Sequence, residues 1–227
     1  MRIAILVCGW LSCCTQPIFG QDVNALVAAV RTKLGKVNSY EGLALMKTNV
    51  SYLKVPDAQV RVYYQKPDKI KIINEHGISL VPKGTMAISL SGLFSGGYTA
   101  LDAGTEKIKG ISVRVVKLLP LDNNAEVVLS TLYIDPARSL ILKANTTTRD
   151  SGSYEVDMVY GKYMDLGLPE KVTCIFNIKE YSLPKGITFD YDDGTKRQTT
   201  SRQQTKGSVE LLYSSYLIDK KIPISIF

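Results

Sequence analysis

The sequence predicts a mainly β domain with one helix: roughly ten antiparallel strands curled into a sheet or barrel, preceded by an amphipathic helix. Three observations predict it. Apolar residues first recur at helical spacing, and after Ser39 they recur at every second position. Runs of strand length are then punctuated by short Pro, Gly and Asp turns. At 227 residues, with 45% hydrophobic and 22% charged residues, the chain has ordinary globular composition and enough length to bury a core.

The helix comes first. Asp22 is a natural N-cap, and Val23, Leu26, Val27, Val30 and Leu34 form one apolar stripe. Arg31, Lys33 and Lys36 put positive charge near the C-terminal end, and Gly35 is placed to end the helix. Such a stripe requires a flat apolar partner.

The strands supply it. Val60, Val62 and Tyr64 alternate with Arg61, Tyr63 and Gln65, and Ile70 and Ile72 alternate with Lys69 and Lys71. Tyr154, Val156, Met158 and Tyr160 alternate with Ser153, Glu155 and Asp157. Val172, Cys174, Phe176 and Ile178 alternate with Lys171, Thr173 and Asn177. Val209, Leu211 and Tyr213 alternate with Ser208, Glu210 and Ser214. Each row has one face for the core and one for water.

Lys66-Pro67-Asp68, Glu75-His76-Gly77, Pro82-Lys83-Gly84, Asp135-Pro136-Ala137-Arg138 and Asp150-Ser151-Gly152 carry turn chemistry. Links this short imply antiparallel neighbours. Ser91 to Gly110 breaks the rhythm and reads as a loop with one short helix at most. Thr195 to Lys206 has no aliphatic or aromatic residue, so it reads as a solvated hairpin tip between strands Ile187–Asp192 and Ser208–Ile218. Arg197, Arg202 and Lys206 could there meet phosphates or a partner.

Residues 1–20 read as an export signal, leaving residues 21–227 as one domain. Arg2 supplies the basic start, and the apolar run Ile3–Cys14 is shorter than the roughly 20 helical residues that span a bilayer. Gly20 offers a small residue at a cleavage site. Leu11-Ser12-Cys13-Cys14 also resembles a lipobox, which would leave a lipid anchor on Cys13 or Cys14. The expected location is thus the periplasm, or the outer membrane as a lipoprotein. Cys174 is the cysteine left in the mature chain, so no internal disulfide is expected, and its place in an apolar row suits a core residue.

Several chemistries drop out. His76 is the single histidine, which removes any His-dyad metal site. Lys and Arg number 28 against 21 Asp and Glu, a surplus of 7, but no basic run is interleaved with aromatics, so no nucleic-acid partner is expected. Nucleophile elbows, phosphate loops and zinc-protease motifs are missing from the sequence. Asp190, Asp192 and Asp193 lack the glycine and distal glutamate of a calcium loop. Glu155 and Asp157 share a strand face that reads as wet. The expectation is a protein that is not an enzyme, with no catalytic residues, metal or cofactor. A concave apolar sheet under a helix is suited to holding something apolar, although the same rows could close into a solid core.

The order of parts then resembles a known family. The helix exit Leu34-Gly-Lys-Val-Asn-Ser-Tyr40 is followed by the hairpin Val60-Arg-Val-Tyr-Tyr-Gln-Lys-Pro-Asp-Lys-Ile-Lys-Ile72. Next come Ile78-Ser-Leu-Val-Pro-Lys-Gly84, Leu132-Tyr-Ile-Asp-Pro-Ala-Arg-Ser-Leu-Ile-Leu-Lys143 and Tyr160-Gly-Lys-Tyr-Met-Asp-Leu-Gly-Leu-Pro-Glu-Lys171. In this order they resemble the LolA/LolB-like periplasmic carriers and receptors that sort lipoproteins to the outer membrane.

The resemblance covers most of residues 22–218. It implies an unclosed antiparallel β-barrel covered by the helix, with an apolar cavity for acyl chains. The cavity wall would be Leu26, Val27, Val30, Val60, Val62, Tyr64, Ile70, Ile72, Tyr154, Val156, Met158, Val172 and Phe176. Lys66 stands where the family carries a basic residue before the hairpin proline, and would be a gate or simply a solvated turn lysine.

The expected function is sheltering of lipoprotein acyl chains, or of another lipid, in outer-membrane lipoprotein sorting. The expected partners are that lipid and an envelope protein, and the expected state is a monomer. The alternatives are an envelope sensor or structural protein that uses the fold to bind a protein partner, and, behind it, an enzyme with an adapted pocket.

Overall fold

The computed structural model describes residues 22–50, 53–54, 56–74, 94, 96–150, 152–177 and 206–227. Among the described residues one α-helix, α1 (Val23–Leu34), precedes the strands. These are β1 (Ser39–Val50), β2 (Leu53–Lys54), β3 (Ala58–Gln65), β4 (Lys69–Asn74), β5 (Tyr98–Ile108), β6 (Ile111–Pro120), β7 (Val127–Asp135), β8 (Leu140–Thr148), β9 (Ser153–Tyr160), β10 (Pro169–Asn177) and β11 (Lys206–Ile218).

The strands form a single antiparallel sheet in the order β4-β3-β1-β11-β10-β9-β8-β7-β6-β5, with the short β2 paired on β1. Among the described residues nothing pairs β4 with β5, so the sheet curls without closing. The mainly β, unclosed architecture expected from the sequence is the one observed.

Alternation builds the core. Val60 and Val62 on β3, Val156 on β9, Val172 on β10 and Leu211 on β11 are almost fully buried. Their inward side chains meet Leu26, Val27 and Val30 of α1 in one apolar cluster. Burying each such side chain contributes about 1.5–3 kcal/mol, which makes the stripe on α1 the main attachment of the helix to the sheet.

Local chemistry sets the ends of α1. The Asp22 carboxylate accepts from the Asn24 backbone N–H at 3.0 Å. At the other end the Gly35 N–H donates to the Arg31 carbonyl at 2.8 Å. The Asp135 carboxylate accepts from the Ala137 N–H at 2.9 Å and sets the tight β7–β8 turn.

One expectation is corrected. Ser91 to Gly110 reads as a loop, yet Tyr98–Ile108 is β5, paired with β6 through Thr99↔Leu119 and Ala100↔Leu118. Burial alternates only from Tyr98 to Leu101, and every residue from Leu101 to Lys107 is exposed. Its pairing slips between Asp102 and Thr105, where Gly104 has φ 92° and donates its N–H to the Asp102 carboxylate at 3.0 Å. An exposed edge strand interrupted by a bulge leaves little periodic signal.

The expected signal segment 1–20, His76, Ile78–Gly84, Ile178, the expected strand Ile187–Asp192 with Asp190 and Asp192, Asp193 and residues 195–205 lie outside the described residues. Lys206, expected at the end of a loop, opens β11.

Candidate functional site

The predicted wall residues converge. Leu26, Val27, Val30, Val60, Val62, Ile72, Val156, Met158, Val172 and Phe176 all belong to the one buried cluster, and Ile70 and Tyr154 pack against it half-buried. Tyr64 is buried too, at 5% exposure. The inner face of the curled sheet is therefore continuous from β4 across to β9, with α1 lying over it.

The helix bridges the opening of the sheet. It packs against β5 at one edge. Toward the other edge, the Lys66 ammonium in the β3–β4 turn donates to the Gly35 carbonyl at 2.5 Å and to Asn38 Oδ1 at 2.9 Å. Two more lysines of the helix end hold it elsewhere. Lys33 Nζ donates to the Arg138 carbonyl at 2.5 Å and Lys36 Nζ to the Asp165 carbonyl at 3.1 Å. The last turn is thus tied to three separate connections of the sheet.

A cavity of about 240 Å³ opens beside this junction, lined by Arg31, Leu34, Gly35, Tyr64, Lys66, Pro67 and Phe94. Of the residues expected in the wall and gate, Tyr64 and Lys66 line it; the others lie in the packed interior. Arg31 and Phe94 were not expected there. Arg31 sits on the polar side of the helical stripe, and Phe94 lies in the segment read as a loop.

Tyrosine rings lead inward from this mouth. Tyr64 stacks on Tyr40 with centroids 5.2 Å apart, and Tyr40 meets Tyr216 edge-on at 5.2 Å. Tyr216 stacks on Tyr213 at 4.7 Å and meets Tyr163 edge-on at 5.2 Å. Strict alternation would send Tyr213 and Tyr216 to opposite faces, because they are an odd number of positions apart. A β-bulge resolves this. β1 pairs Leu43 with Ser215 but Ala44 with Tyr213, so Ser214 is the extra residue and both rings are buried.

The ring hydroxyls are tied off. Tyr216 donates to the Pro169 carbonyl at 2.6 Å and Tyr160 to the Ile141 carbonyl at 2.8 Å. Burial pushes the hydroxyls of Tyr40, Tyr160, Tyr213 and Tyr216 well above the ordinary tyrosine range. They stay neutral and offer their ring faces as apolar surface.

The acidic pair looks structural. Glu155 is bridged to Lys143 at 2.6 Å. Burial, then the charge of Glu155, raises the Asp157 carboxyl above its usual range. Cys174 is a free, half-buried thiol that burial pushes up to about 12, which suits a packing role over a nucleophilic one. Among the described residues no three potential metal ligands come together.

Solved structures share the fold. A domain from Vibrio parahaemolyticus classed with outer membrane lipoprotein-sorting proteins superposes with a TM-score of 0.56 at 13% identity, over 88% of this chain and 93% of that one. A LolA-superfamily protein from Nitrosomonas europaea superposes with a TM-score of 0.55 at 11% identity, over 90% of this chain and 96% of that one. The chain has the LolA-type fold. A DUF1329-family protein from Desulfovibrio piger shares it, with a TM-score of 0.53 at 13% identity over 88% of this chain and 95% of that one. No protein-family model matches the sequence, and neither does any curated protein. The LolA-type fold is thus held here by a sequence far from its structural relatives.

Proposed function

We propose that this chain is an exported binding protein of the cell envelope that shelters acyl chains, of lipoproteins or of another lipid, in outer-membrane lipoprotein sorting. Residues 1–20 direct export, and the protein then works in the periplasm or, if Cys13 or Cys14 is acylated, on the outer membrane. It binds and releases; it does not catalyse.

The observation that carries this reading is the relation of α1 to the open sheet. An unclosed sheet exposes its inner face along one seam, and here a single helix with three buried apolar residues, Leu26, Val27 and Val30, spans that seam. Moving the helix aside would expose apolar surface to an acyl chain, and each methylene that enters gains about 0.8 kcal/mol. Lys66 acts as the gate, because its bonds to Gly35 and Asn38 hold the helix end against the hairpin. The structural relative described with lipoprotein sorting supports the cargo class.

The test is lipid extraction. The full-length chain is expressed in an exporting Gram-negative host, purified without detergent, extracted with organic solvent and examined by mass spectrometry. A stoichiometric acylated species is expected. An empty protein that also takes up no added fatty acid or acyl peptide overturns the reading and favours a protein partner instead. Met158→Trp adds bulk inside the cluster, at a cost of about 1–3 kcal/mol. A folded Met158→Trp protein that binds acyl ligand unchanged would count against this face as the cavity.

A further inference from the structure

The mouth cavity carries chemistry that an acyl-binding interior does not need. Its lining combines the apolar faces of Leu34, Tyr64 and Phe94 with the cationic side chains of Arg31 and Lys66, and among the described residues it includes no carboxylate. Among the described residues the Arg31 guanidinium makes no hydrogen bond or ion pair, so its planar fork of donors is unspent. The Lys66 ammonium spends two of its donors, on the Gly35 carbonyl and on Asn38. A third remains, since an ammonium has about three.

The end of α1 adds about half a negative charge at this point. It is outweighed by Arg31, Lys33, Lys36 and Lys66, and the Gly35 carbonyl is already capped. At about 240 Å³ the cavity falls short of the roughly 300–1,000 Å³ of pockets that enclose whole small ligands. It matches the polar end of an amphiphile whose tail continues elsewhere.

Resting on the acyl-binding reading above, we infer that the cargo is an anionic lipid whose phosphate headgroup sits at the mouth between Arg31 and Lys66. Arg31 meets two phosphate oxygens with its fork, Lys66 meets one with its remaining N–H, and Tyr64 and Phe94 flank the first carbons of the chain.

The experiment compares three probes on the full-length protein from an exporting host: lysophosphatidic acid, a monoacylglycerol with the same chain, and glycerol 3-phosphate. Calorimetry is expected to show lysophosphatidic acid at least about tenfold tighter than monoacylglycerol, with glycerol 3-phosphate weak. Arg31→Gln, an exposed substitution, should cut lysophosphatidic acid affinity about tenfold and leave monoacylglycerol unchanged. Adding Lys66→Gln should remove the remaining preference.

Equal binding of the two acylated probes overturns the headgroup inference and leaves acyl binding standing. Binding of neither overturns both. Glycerol 3-phosphate binding as tightly as lysophosphatidic acid overturns the lipid source in favour of a free phosphate ester. An Arg31→Gln protein that keeps the full preference overturns the assignment of the site.

Discussion

Lys66 and Gly35 are separated by 31 positions in sequence and joined by one 2.5 Å hydrogen bond from the ammonium to the carbonyl. Through it the β3–β4 turn holds the end of α1. A charged donor here satisfies a carbonyl that the helix itself leaves unpaired and stands at the negative end of the helix dipole.

Removing that contact should loosen the helix before it unfolds the protein. Lys66→Met is expected to cost about 1 kcal/mol in urea unfolding. Hydrogen exchange of the Val30–Leu34 amides should accelerate, while the β9–β10 amides change little. Lys66→Arg keeps the charge and should retain most of the protection. Uniform acceleration across helix and sheet would mean that the turn does not act on the helix separately.

Gly42 leaves room for the tyrosine stack. A Cβ built there would lie 2.9 Å from Tyr213 Cε1 and 3.3 Å from Tyr216 Cε1. Gly42→Ala should therefore force the stacked rings apart and destabilise the protein by about 1–3 kcal/mol. The tyrosine near-UV circular dichroism should weaken in the folded variant. A thermal midpoint equal to that of the parent would show that the rings yield freely.

Acid should weaken the junction of β1, β3 and the chain after β11. Glu41 is 7% exposed and accepts from Lys220 and, at 2.8 Å, from Arg61. The Lys220 hydrogen bond first, with Arg61 adding to it against the cost of burial, holds the Glu41 carboxyl below its ordinary 4.5. A depressed carboxylate contributes stability that is complete above 4.5 and is lost as pH falls through the lowered value. Glu41→Gln should cost about 1–2 kcal/mol at neutral pH, and less at about pH 3, read from urea midpoints. A penalty that does not shrink with acid would assign the loss to packing.

Cys174 should react slowly. A half-buried thiol pushed up to about 12 holds almost no thiolate at neutral pH. Ellman's reagent at about pH 8 should modify the native protein far more slowly than the urea-unfolded chain. Equal rates would place the sulfur at an accessible surface.

Much of this protein was legible from residue order because the helix and the inner strands obey simple periods. Leu26, Val27 and Val30 are buried as the stripe predicts, and Val60, Val62, Val156 and Val172 are buried as the alternation predicts. β5 was missed because every residue from Leu101 to Lys107 is exposed, so no sustained alternation marks it. Tyr216 was missed because the bulge at Ser214 reverses its parity, which no period reveals.

The sequence by itself determined the helix and the faces that β3, β4, β9 and β10 bury, since spacing and side-chain polarity are local properties. Only the tertiary structure decided that Arg31, Tyr64, Lys66 and Phe94 share one mouth. It likewise decided that Tyr40, Tyr213 and Tyr216 pack ring against ring beneath it. These residues come from distant segments, and their meeting depends on strand order, register and one bulge. Those follow from the packing of the whole sheet and are not encoded in any single stretch of chain.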